Sequence, residues 1–339
     1  MAIIETDGFL LTRQWSDTSS GIQLNFWFYS THTPIHVVIT GQQAICFIRQ
    51  NSPLKIASAQ RKPLKLKALD HHTVDGLYFS QQKDLNQLRE HLSHDKQHLL
   101  ESEIKPTERY LMERFVTAGV QIKGEAIDKR GYVEIHNPKI KPADINPTLR
   151  WLSLDIETED LRGKLYSIAV TTASSEQVFM AKAPLEQSRR NDIQWCTTQK
   201  NTLQTCFEWI NQYDPDVLVG WNITAFDLDF IAWKCRQLGI AFNLGRGQQK
   251  ATLLKVNNDQ MVIARIPGRV VLDGIQCLRS AFWSFESFAL DDIANALLNK
   301  RKLIQKSSPE AKLAAIRDQY YNDPVALADY NLEDCRLVA

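Results

Sequence analysis

The chain holds 339 residues, long enough for two domains that each bury a core. A hydrophobic fraction of 44% and a charged fraction of 23% exclude wholesale disorder, and 40 Lys+Arg against 39 Asp+Glu leave a net charge of +1 that says nothing of local patches. No stretch approaches the roughly 18 apolar residues of a membrane span, and the opening carries acids (Glu5, Asp7) rather than the basic start of a secretion signal, so a cytoplasmic protein is expected.

Between residues 9 and 48, apolar and polar residues alternate in four runs, 9–15, 22–28, 35–39 and 44–48, punctuated by Gly21, Pro34 and Gly41. That pattern predicts an antiparallel meander. No acid occurs between Asp17 and Asp70, whereas Arg49, Lys55, Arg61, Lys62, Lys65 and Lys67 do. The stretch is either a surface that tracks a phosphate backbone or a strand edge protected by lysines. A helix is expected over 83–100, with His91, His94 and His98 near one face and read as exposed rather than metal-ligating. A second is expected after Thr107, a candidate cap, with Tyr110, Leu111, Arg114 and Phe115 on one side. A hairpin over 120–127 and 131–135 leads to residues 137–147, which hold Pro138, Pro142 and Pro147, three prolines in eleven residues. The domain boundary is placed there, separating a β-rich amino-terminal domain over 1–146 from a second domain over 147–339.

Strands at 151–157, 165–171 and 177–181 then arrive consecutively. They precede a helix at 203–211, a buried strand at 216–221 and a helix at 227–238 closed by Gly239. A strand at 269–273 runs into a helix at 274–282, and a further helix spans 290–298. Pro309 after Ser308 and Pro324 after Asp323 each suit the first position of a helix. Three strands followed by alternating helices and strands predict an α/β domain built on a mixed sheet flanked by helices. Six scattered cysteines with no C-x-x-C pair fit reduced thiols better than disulfides or a zinc site. All eight histidines precede residue 137, so a site in the second domain works without imidazole, and an oxygen-ligand site for Mg²⁺ or Mn²⁺ stays open.

The strand at 151–157 carries Asp155 and Glu157, two residues apart and therefore on one face. Either they look into water, or they sit together on a partly buried face and need a cation. Asp227 opens a helix directly after a buried strand, where it is either a ligand at the strand end or an acid favoured by the helix dipole; Asp229 fits the second account. Tyr330 and Asp334 are stacked at i and i+4 on the last helix, although a tyrosine alone is more often core. The aromatic run Phe282, Trp283, Phe285 and Phe288 reads mainly as packing, with a base-stacking surface as the alternative. Asp273 is assigned a structural role.

D-x-E at 155–157, N-x-x-x-F-D at 222–227 and Y-x-x-x-D at 330–334 resemble, in order, the three exonuclease motifs of the family B DNA polymerases. The likeness extends through Arg109 to Phe115, Tyr213 to Asn222, Gly268 to Gly274 and Ser280 to Phe288. It is nearest to the amino-terminal and exonuclease portion of the bacterial DNA polymerase II branch. The resemblance implies a ribonuclease H-like exonuclease domain and a two-metal 3′→5′ exonuclease that proofreads single-stranded DNA ends. It implies that Asp155, Glu157 and Asp334 hold one Mg²⁺ or Mn²⁺, that Asp155 bridges to a second supported by Asp227, and that Tyr330 orients the attacking water. Related exonucleases carry histidine where Tyr330 stands, so this chain falls in the tyrosine (DEDDy) subtype. By the same likeness Thr158, Asn222 and Phe226 touch the terminal nucleotides, although Phe226 fits a core position equally well. The implied partners are single-stranded 3′ ends and primer–template DNA, bound by a monomer that in the longer protein is joined to polymerase domains and served by a sliding clamp. The family's polymerase domain is expected after this point, and the chain stops five residues beyond Asp334, so a fragment is expected. The rivals are a DNA-binding scaffold whose acids are silent and a nuclease that takes RNA.

Overall fold

A computed structural model describes residues 2–92, 99–183, 190–256, 261–304 and 308–339. The chain divides into two compact units, Met1–Pro147 and Thr148–Ala339.

The first unit contains β1 (Ala2–Thr18), β2 (Gly21–Tyr29), β3 (Ile35–Gln42), β4 (Ala44–Arg49), β5 (Gln60–Lys67), β6 (Thr73–Phe79), α1 (Gln82–His91), α2 (Pro106–Met112), β7 (Gly119–Lys129), β8 (Tyr132–His136) and β9 (Lys139–Pro142). Its main sheet runs β1-β2-β3-β8-β7-β9, and β1 also pairs with β7, so five strands close into a ring. Closure rests on the length of β1: Ala2 to Phe9 pairs with β7, Phe9 to Thr18 pairs with β2, and a register shift between Leu10 and Thr12 marks the change of partner. The expected meander therefore holds for β1 to β3 only. β3 next pairs in parallel with β8, while β4 leaves for a small sheet ordered β4-β6-β5.

Three further expectations need correction. The proline-rich stretch read as linker contributes β9, which pairs with β7. Thr107 does not cap α2, because Pro106 already occupies the first turn; Thr107 is buried and Phe115 is exposed. Of the helix expected over 83–100, α1 ends at His91, and residues 93–98, with His94 and His98, lie outside the described residues.

The second unit contains β10 (Trp151–Thr158), β11 (Leu165–Thr171), β12 (Glu176–Met180), β13 (Ile193–Trp195), α3 (Gln199–Tyr213), β14 (Val217–Gly220), α4 (Asp227–Leu238), β15 (Thr252–Val256), β16 (Met261–Arg265), β17 (Val270–Asp273), α5 (Gly274–Ser280), α6 (Leu290–Leu298), α7 (Pro309–Asn322) and α8 (Pro324–Val338). The sheet runs β13-β12-β11-β10-β14-β17; β10 is antiparallel to β11 and parallel to β14. Both faces are covered. Leu152, Leu154 and Ile156 of β10 join α3 and α4 residues such as Phe207 and Ile231 in one core, while α7 and α8 pack Ile316, Leu327 and Ala328 over Tyr166 and Ala169. The period of two along β10 then sends Ser153, Asp155 and Glu157 toward α8. The hairpin β15–β16 went unforeseen in the sequence; its Leu253 and Ala264 pack on the first core.

The acids of the Tyr213-to-Asn222 motif are structural. Asp214, left-handed at φ 52°, closes α3 and meets Arg246 at 3.0 Å and Arg269 at 3.1 Å, while Asp216 meets Arg246 at 2.5 Å. Downstream, Gly220 passes so close to β10 that a Cβ would lie 2.8 Å from the carbonyl of Leu154 and 2.8 Å from Ile223 Cβ. Gly220→Ala is expected to lower stability by about 1–3 kcal/mol in chemical denaturation, the usual cost of overpacking. An unchanged midpoint would show that the turn has slack.

Candidate active site

Asp155 and Glu157 lie on β10, and α8 brings Asp334 to them. Ligand oxygens of the three carboxylates all lie within 4.8 Å of one another. Glu157 and Asp334 are buried, and Asp155 is half-buried. On α8, Tyr330 lies one turn before Asp334 and is fully buried. The helix starts in place because Asp323 caps it, accepting from Ala326 N, with Pro324 in its first turn.

Asp227 enters from a different side. β14 pairs with β10 only from Trp151 to Ser153 and stops at Gly220, which leaves the far end of β10 unpaired on that edge. The chain turns there through Asn222, left-handed at φ 57°, into α4. Buried Asp227 then takes the Ile156 amide, which donates to Oδ1 at 3.1 Å. Asp227 stands next to Asp155 without belonging to the tight trio. Asp273 fastens the same turn: its carboxylate caps α5 and accepts from Thr224 N at 3.2 Å and Thr224 Oγ1 at 3.1 Å. Asp229 is spent on Arg162 at 2.6 Å.

Crowding and burial tighten the hold of these carboxylates on their protons. Burial, then the charge of Asp334, pushes Asp155 up to about 7. Burial followed by the neighbouring acids raises Glu157 and Asp227 well above the carboxylate range, and burial raises Asp334. Tyr330 is raised by burial and then by Glu157 and Asp334, so it keeps its proton at neutral pH.

The protein brings cations of its own to the trio. Lys302, between α6 and α7, pairs with Asp334, its Nζ 5.1 Å from the centre of the Tyr330 ring; Lys312 Nζ lies 5.8 Å from that ring. Burial opposes the charge on Lys302, but Asp334 and its neighbours hold the ammonium well above the lysine range. Neither lysine was foreseen from the sequence, because only the fold brings residues 302 and 312 beside Asp334 and Tyr330. Oδ1 of Asp334 and the hydroxyl of Tyr330 are buried and make no hydrogen bond of good geometry to the described residues. An all-oxygen donor set, mutually repelling acids and an orphaned carboxylate oxygen suit a hard divalent cation such as Mg²⁺ or Mn²⁺.

The remaining expected contacts are scattered around this centre. Thr158 is buried and donates to the carbonyl of Asp160 at 2.9 Å; Asn222 is exposed, and Phe226 is half-buried against the α4 core. The aromatic run expected to pack does so only in part: Phe282 is 94% exposed and Trp283 51%. In the first unit, Arg49 and Arg61 pair with Asp70 and Asp75, whereas Lys62, Lys65 and Lys67 project from β5, an edge strand of its small sheet.

Residues 97–293 match the family described as DNA polymerase family B, exonuclease domain, and residues 8–43 that described as DNA polymerase II, N-terminal. The chain belongs to the DNA polymerase B family. Its sequence is 32% identical over 345 residues to DNA polymerase II of Escherichia coli (strain K12), covering 98% of this chain and 43% of that protein. It is 27% identical over 195 residues to the DNA polymerase delta catalytic subunit of Caenorhabditis elegans, across 50% of this chain and 18% of that one. The fold is that of the family B DNA polymerase from the archaeon Pyrobaculum calidifontis, with a TM-score of 0.74 at 16% identity over 98% of this chain and 44% of that one. The chain thus spans less than half the length of these family B polymerases. Among its described residues no helix is long and apolar enough to cross a membrane.

Proposed function

We propose that this chain is a 3′→5′ exonuclease that uses two divalent ions, Mg²⁺ or Mn²⁺, to remove nucleotides from single-stranded DNA ends, and that it proofreads within a longer DNA polymerase II. The observation that carries this reading is the convergence of Asp155, Glu157 and Asp334, from elements far apart in the chain, within 4.8 Å. In this reading residues 1–146 are the amino-terminal domain and 147–339 the exonuclease domain. Asp155, Glu157 and Asp334 would hold one ion, and Asp155 with Asp227 would support the other. When bound, the ions polarise the attacking water and neutralise charge at the phosphate. Tyr330, protonated, orients that water through its hydroxyl and does not serve as the base. Lys302 supplies positive charge where the phosphate arrives, and Thr158, Asn222 and Phe226 receive the terminal nucleotides. The partners of the longer protein are primer–template DNA and a sliding clamp.

Incubating the full chain with 5′-labelled single-stranded DNA, and in parallel with matched RNA, tests the reading. A ladder shortened from the 3′ end of DNA is expected with either ion and none with chelator. Binding without shortening in both ions would favour a silent scaffold, and preferential digestion of RNA would reassign the substrate. Tyr330→Phe is expected to cut turnover by about a hundredfold, at the low end of what a side chain assisting proton movement contributes because Tyr330 only orients the water, with DNA affinity within about twofold. Unchanged turnover would remove Tyr330 from the mechanism.

A further inference from the structure

Between Tyr330 and Asp334, α8 carries Asn331, which is fully buried. Its position three residues before Asp334 puts both on the face turned to the sheet. Nδ2 of Asn331 donates to Oδ2 of Asp155 on β10 at 2.6 Å. Its Oδ1 accepts at 2.8 Å from the hydroxyl of Ser167 on β11, which is also fully buried. Ser167 stands opposite Glu157 in the register, and Ala169 opposite Asp155, so the amide spans the two strands diagonally. The polarity of this chain of hydrogen bonds is set at the Asp155 end. A serine hydroxyl can donate or accept, but an ionised carboxylate only accepts, so the amide presents its N–H to Asp155 and its oxygen to Ser167, whose hydroxyl then donates.

We infer that Asn331, polarised by Ser167, is a positioning residue that fixes the Asp155 carboxylate, engaging one oxygen and holding the group turned toward Glu157 and Asp334. This rests on the metal-dependent reading above. The hydrogen bond also favours the ionised carboxylate, against the burial and the Asp334 charge that oppose it. A carboxylate that must take up an ion loses affinity when it can swing. The supporting hydrogen bond therefore acts on metal affinity and on turnover, not on the grip on DNA.

The test is titration of the full chain with Mn²⁺ alone, followed by electron paramagnetic resonance of the free ion, for Asn331→Leu, Ser167→Ala and Asp155→Ala. Asn331→Leu is expected to weaken Mn²⁺ binding by about tenfold to a hundredfold and to lower kcat while KM for single-stranded DNA stays within about twofold. Ser167→Ala, which leaves α8 untouched, weakens Mn²⁺ binding in the same direction and keeps the inference testable if Asn331→Leu does not fold. Wild-type Mn²⁺ affinity in folded Asn331→Leu or Ser167→Ala protein, with Asp155→Ala impaired, would overturn the positioning role alone. Wild-type affinity in Asp155→Ala as well would remove the metal reading beneath it.

Discussion

Asp155→Ala combined with Glu157→Ala is expected to lower Mg²⁺-dependent release of nucleotides from a labelled single strand by on the order of 10³-fold. That size follows from the charge stabilisation a bound ion supplies, several kcal/mol, at about 1.4 kcal/mol per tenfold in rate. Both side chains leave β10 on the face turned to α8, while the hydrophobic side chains beside them, Leu154 and Ile156, point into the other core. The double variant should therefore fold. Its thermal stability in metal-free buffer should be at least retained, since relief of desolvation and repulsion in a crowded acidic centre offsets the Asn331 hydrogen bond lost with Asp155. Loss of activity with retained or increased thermal stability is the signature that separates a functional acid pair from a structural one. Cleavage at the parental rate would end the nuclease assignment, and loss of both activity and stability would show that the pair braces the strand.

What the sequence made legible follows physical range. β10, α4 and α8 carry their chemistry in local patterns: alternation along a strand, an acid at a strand-to-helix junction, and an i, i+4 pair. Each could be read from a few neighbouring residues. Lys302, Asn331 and Ser167 left no such trace. Asn331 sits 164 residues from Ser167 and 176 from Asp155, and only the fold makes them neighbours. The ring of strands in the first unit escaped for the same reason, because pairing of β1 with β7 is set by contacts across more than 100 residues. The aromatic run failed differently. Hydrophobic composition argued for burial, but the backbone holds Phe282 left-handed at φ 62°, and Trp283 and Phe285 stack on each other at 5.8 Å with planes 2° apart instead of entering a core.

A second consequence of the crowded acids is a dependence of stability on pH that divalent ions should reverse. In the folded chain Asp155 is raised to about 7 from an ordinary 3.8, chiefly by burial and then by Asp334. A carboxyl raised on folding binds its proton more tightly in the native state. Its contribution is fully present below the unfolded value and is lost as pH rises through the folded one, here between about 4 and 7. Glu157, Asp227 and Asp334 are raised in the same way, and Lys302 offsets part of the penalty through its pair with Asp334. Moving a pKa by one pH unit corresponds to about 1.4 kcal/mol, so the net cost at neutral pH is roughly a few kcal/mol, which for a domain of this size lowers Tm by several degrees. In chelator, Tm is therefore expected to fall between pH 5 and pH 8. Millimolar Mn²⁺ should restore it most at the upper end, because ligation favours the ionised form. Asp155→Asn should flatten both the fall and the rescue. If the variant kept the parental slope, or the parent's Tm did not move across this window, the acids would not be strained by one another, and the physical case for a cation among them would lose its footing.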